Sequence, residues 1–179
     1  MKTILPLIIA GVLALIAISC NLGQKNGKGN GIKGNPKDFV KRDQPTGQLI
    51  RFAYTRAGTM AVPFQDYKLT LLDDGKVQLY AHNLGRIHDT VPVDREVLDS
   101  VARMIVSNEI YRYKSHYEPE MQVMDGEGWH YSAEYDDKTS LSSGGSNARP
   151  SNFALPAIAD YLDSMAVKAG AGNKGFEDW

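Results

Sequence analysis

The chain has one cysteine, Cys20, in 179 residues. Without a second thiol no disulfide closes within the chain, so the fold must be held by its core. It also lacks an excess of charge of one sign. Twenty Lys and Arg stand against twenty-one Asp and Glu, a formal net charge of −1. That balance leaves no basic footprint for nucleic acid. The apolar run at residues 4–18 is fifteen residues long, short of the roughly twenty that a membrane-spanning helix needs. Catalytic signatures are missing too. There is no His-Glu-x-x-His zinc pair and no Gly-x-Ser-x-Gly nucleophile elbow.

What is present at the N-terminus is a short apolar core preceded by Lys2 and followed by polar residues. That is the layout of a secretory signal peptide. The run Ala17-Ile18-Ser19-Cys20 resembles the lipobox of bacterial lipoproteins. The resemblance implies cleavage before Cys20 and a diacylglycerol on its thiol. The mature chain is then lipid-anchored in the bacterial cell envelope, at the outer membrane. One acyl chain anchors only marginally, and the triacylated cysteine implied by the resemblance meets that requirement.

Composition then divides the chain. Residues 1–19 read as the leader. Residues 20–47, rich in Gly, Asn and Lys, have little to bury and read as a flexible tether. Residues 48–169 are long enough for one hydrophobic core, and residues 170–179 read as a flexible tail that ends on Phe176 and Trp179.

Within the domain, period-two alternation marks strands. Ile50, Phe52 and Tyr54 alternate with Arg51 and Thr55. Tyr67, Leu69 and Leu71 alternate with Lys68 and Thr70. After the turn Asp73-Asp74-Gly75-Lys76, Val77, Leu79 and Ala81 alternate with Gln78, Tyr80 and His82. Pro92 and Asp94 read as a helix start, with Asp94 as cap and Glu96 in the first turn. Val97, Leu98, Val101 and Ile105 then recur at helical spacing. Residues 115–128 read as irregular. Trp129, Tyr131, Ala133 and Tyr135 mark a further strand, and residues 139–143 its return. Residues 144–150 read as a loop and residues 153–167 as a second helix.

The expected fold is α+β: an antiparallel sheet with two helices on one face, in β-ββα-ββα order. The expected core is Ile50, Phe52, Tyr67, Leu69, Val77, Leu79, Val97, Leu98, Val101, Ile105, Trp129, Tyr131, Leu155, Ile158 and Leu162. The layout of Tyr67-x-Leu-x-Leu, Asp74-Gly75 and the helix after Asp94 is similar to small bacterial lipoprotein domains and to two-unit sheet-plus-helix binding modules of the periplasm. Neither resemblance brings catalytic residues.

Candidate chemistry is thin. His116, Glu118, Glu120, Asp125, Glu127 and His130 form an oxygen- and nitrogen-rich stretch, but the spacing of a dedicated zinc or calcium loop is absent. No metal and no cofactor is assigned. Ser140, Ser142, Ser143 and Ser146 beside Gly144 and Gly145 read as a strand end and loop rather than an anion-binding nest. Asp73/Asp74 and Asp136/Asp137 are turn formers. The leading functional reading is a non-enzymatic binding or accessory module at the envelope. A structural or assembly subunit comes second, and a hydrolase or metal enzyme third. The residues expected to face a protein partner are Tyr80, His82, His130 and Glu134, opposite the buried sheet face.

Overall fold

A computed structural model describes residues 34–57, 59, 63–121 and 126–172. Cys20, the leader and the aromatic tail lie outside the described residues, as does Asp125. Among the described residues, seven strands form one sheet: β1 Leu49–Arg56, β2 Gln65–Leu71, β3 Val77–Asn83, β4 Ile87–Val93, β5 His116–Tyr117, β6 Gly128–Tyr135 and β7 Ser140–Ser146. Among the described residues, two α-helices, α1 Arg95–Ser107 and α2 Leu155–Lys168, complete the α+β fold. The strand order is β4-β3-β2-β1-β6-β7-β5. β1 is central, pairing antiparallel with both β2 and β6.

Alternation does what the sequence leads one to expect. Phe52, Tyr67, Leu69, Leu79 and Tyr131 are fully buried beneath α1 and α2, in one cluster with Leu98, Ile105, Ile158 and Leu162. Each such large apolar side chain contributes about 1.5–3 kcal/mol by leaving water. The sheet and both helices thus share a single core.

The order of elements differs from β-ββα-ββα. A fourth strand, β4, precedes α1, and Pro92 lies within it, opposite Gln78. Pro92 therefore does not start the helix. It is tolerated because β4 is an edge strand, where a missing amide costs no ladder bond. Asp94 does occupy the cap position, but its side chain makes no capping bond. The sheet is mixed rather than antiparallel, because β5 pairs parallel with β7. Residues 144–146, read as loop, continue β7. The core takes Leu49 at 2% exposure in place of Ile50, which is half-buried. A shift in the β1–β6 register between Leu49 and Arg51 moves the apolar face by one residue there.

Residues 34–47, within the stretch that composition reads as tether, bond to the domain. Asn35 N–H donates to Ser151 Oγ at 2.6 Å, and the Tyr117 hydroxyl donates to the Asp38 carbonyl at 2.5 Å. Phe39 forms a β-bridge with Tyr113.

The β4 edge is closed to further strands. His88 N–H donates outward to the Gly172 carbonyl at 3.1 Å. Thr90 N–H donates to Asp89 Oδ1 at 2.7 Å, and Pro92 has no amide. These three positions share one parity and face away from β3, so the edge offers no free row of donors.

Candidate functional site: the open sheet face

Period-two side-chain direction places Tyr80, His82, His130 and Glu134 on the face away from the helices. Their strand neighbours Leu79, Ala81, Tyr131 and Ala133 are buried beneath those helices. His88 and His116 belong to the same face, since they alternate with buried Ile87 and Asp89 and with buried Tyr117. All four histidines of the chain therefore project from one side of the sheet.

They form two groups rather than one. On β2, β3 and β4 the rings gather. His82 and His88 stack with centroids 4.3 Å apart and planes 21° apart. Tyr80 meets His88 edge-on at 6.2 Å, and Phe64 meets His82 edge-on at 5.1 Å. Lys68 Nζ lies 5.2 Å from the Tyr80 ring centroid and 3.6 Å from Asp66 Oδ2. Asp66 Oδ1 also accepts a bond from the Thr55 hydroxyl at 3.0 Å. Partial burial holds the His82 imidazolium below its ordinary pKa. His88 pushes the same way, and Asp66 opposes. Burial also raises the Tyr80 phenol.

On β6 and its neighbours the face is polar. Glu134 pairs with Arg51 at 2.9 Å, both well exposed. His130 Nε2 and Ser142 Oγ lie 3.1 Å apart. His116 and His130 flank Gly144 in register from either side. The backbone there floors an open trough of about 330 Å³ that also borders Thr55 and Gly128. Three strand spacings, about 14 Å, separate β3 from β6, so Tyr80 and His82 do not meet His130 and Glu134. His116 itself pairs with Glu118 at 3.4 Å.

Sequence reasoning missed His88, Asp66 and Phe64 as members of the ring cluster. The signal for His88 was present: Ile87, Asp89 and Val91 alternate with His88 and Thr90. Reading Pro92 as a helix start hid it.

Chemically the face can stack, accept hydrogen bonds and pair charges across several strands. Among the described residues, no group of three or more His, Cys, Asp or Glu side chains converges as a metal site. Glu127, from the oxygen-rich stretch, instead clasps Arg56 through two bonds of 2.7 and 2.8 Å. No protein-family model, no curated protein and no solved structure matches this chain.

Proposed function

We propose that this chain is an envelope lipoprotein, anchored at the outer membrane through Cys20, whose domain is a non-enzymatic binding or accessory module. The observation that carries the reading is the open sheet face. One side of a seven-stranded sheet bears Tyr80, His82, His88 and Lys68 at its β2–β4 end, while both helices pack on the other side. Half-buried aromatic rings on an otherwise open face are a composition that protein contacts favour. No helix among the described residues is long and apolar enough to cross a membrane, and in this reading the acylated Cys20 holds the chain at the bilayer.

Two experiments test the reading separately. Mass spectrometry of the mature N-terminus should find an acylated Cys20, and Cys20→Ala should release or trap the chain. An intact Met1 in the wild-type protein would refute lipidation. For the binding module, crosslinking in intact envelopes should capture a protein partner. Tyr80→Ala should weaken capture while leaving the melting temperature nearly unchanged. His130→Ala tests whether the contact reaches β6. Undiminished capture in both variants would move the contact off this face.

A further inference from the structure

Strand register sets His82 directly opposite His88. His88 N–H points away from β3, toward Gly172, so the two form a non-hydrogen-bonded pair. That is the closer kind of antiparallel pair, with Cα atoms about 4.5 Å apart. Their rings accordingly lie 4.3 Å apart. On the other side of His82, β2 presents Asp66 in register. The row Asp66–His82–His88 thus runs across three adjacent strands of the open face.

We propose that His82 and His88 together bind one late first-row divalent metal ion, Cu²⁺ or Zn²⁺, with Asp66 as the carboxylate that orients His82. Neutral imidazole is the commonest metal ligand and suits copper and zinc. Two metal–nitrogen bonds of about 2.0–2.1 Å put their nitrogens about 3–3.4 Å apart. Rings already stacked at 4.3 Å reach that separation by turning about their side-chain torsions, with no change in register. Both residues are half-buried, so water can complete the coordination sphere. Ligating histidines usually give their second ring N–H to a carboxylate. Asp66 faces His82 in register from β2; its Oδ1 accepts from Thr55, and the long ion pair of its Oδ2 with Lys68 is easily exchanged for the His82 ring. With two protein ligands, the site is an open one. It depends on the tertiary structure alone and does not rest on the proposed binding role.

The contrast within the molecule is His116 and His130. They also share the face, but Gly144 and a full strand lie between them, so they form no adjacent pair.

The test uses the tag-free, detergent-solubilised full-length chain, titrated with Cu²⁺ and separately with Zn²⁺ by calorimetry. One ion should bind per chain, copper more tightly than zinc. Cu²⁺ should broaden the ring proton signals of His82 and His88 before those of His116 and His130. His82→Gln and His88→Gln should each weaken binding about tenfold or more. Asp66→Asn should weaken it by about tenfold through orientation. His130→Gln should leave it unchanged. Circular dichroism and melting temperature verify that each variant folds, and these substitutions lie outside the core. Absence of binding, retention of wild-type affinity in either His82→Gln or His88→Gln, or loss of binding in His130→Gln would overturn the proposal.

Discussion

The Tyr67 hydroxyl donates to Asp163 Oδ1 at 2.7 Å, tying β2 to α2 through the buried core. Asn83 Nδ2 donates to the other carboxylate oxygen at 2.5 Å. Asp163 is 7% exposed, so its charge relies on these donors and on Arg86 at 3.6 Å. Tyr67→Phe should cost about 1–3 kcal/mol. Asp163→Ala strands two buried donors and should cost about 2–6 kcal/mol at about 1–3 each. Arg86 is 70% exposed in its side chain, so Arg86→Ala should cost less than about 1 kcal/mol. Urea unfolding of the three variants checks the ranking; an Arg86→Ala loss equal to that of Asp163→Ala would show that the ion pair dominates.

Leu98 on α1 and Leu162 on α2 are both fully buried in one cluster. Truncating either to alanine should cost about 2–5 kcal/mol. Because the core is shared, each variant should still unfold in one calorimetric transition. Two separable transitions would mean that the β1–α1 and β6–α2 portions fold independently.

Gly145 lies where a side chain cannot. A Cβ there would collide with the Ala148 carbonyl oxygen and approach Trp129 Nε1 to 2.8 Å. Those two atoms are themselves joined by a hydrogen bond of 2.8 Å. Gly145→Ala should therefore cost about 1–3 kcal/mol by overpacking. A Cβ on Gly128, in the facing strand, would find its nearest neighbour at 3.7 Å, and Gly128→Ala should stay within about 0.5 kcal/mol of wild type. Equal thermal stability of the two variants would contradict the close packing of Trp129 on β7.

Burial pushes the Tyr54 and Tyr135 phenols up to about 12, and Tyr67, Tyr113 and Tyr131 are raised by the same cause. In the unfolded chain a tyrosine ionises near pH 10, or about that value. Above that pH the unfolded state sheds protons that the folded state retains. The stabilisation from these phenols is thus complete below about pH 10 and is lost as the pH rises further. Ionisation of the five, followed by ultraviolet absorbance, should coincide with loss of the circular dichroism signal. Full ionisation near pH 10, or about the free-phenol value, with the fold intact would contradict their burial.

Much of the fold was legible because alternation is a local property. Leu69, Leu79 and Tyr131 reveal their burial through their immediate neighbours, and Leu98 through the helical spacing of Val97, Val101 and Ile105. Where the sequence misled, the deciding partner was distant. Pro92 resembles a helix start until β4 proves to be an edge, where its missing amide faces away from β3. Gly144 and Gly145 resemble a loop until β6 and β5 supply ladder bonds on both sides. Ile50 gives way to Leu49 because a register shift against β6 flips one position.

The candidate site divides along the same line. By itself the sequence determined which side of each strand Tyr80, His82, His130 and Glu134 would occupy, because successive side chains must point to opposite faces. Only the tertiary structure decided which of them are neighbours. Strand order put β2 and β1 between β3 and β6, separating His82 from His130, and the β3–β4 register set His88 against His82. Strand pairing is a contact between residues distant along the chain, selected by the shared core, and no local pattern encodes it.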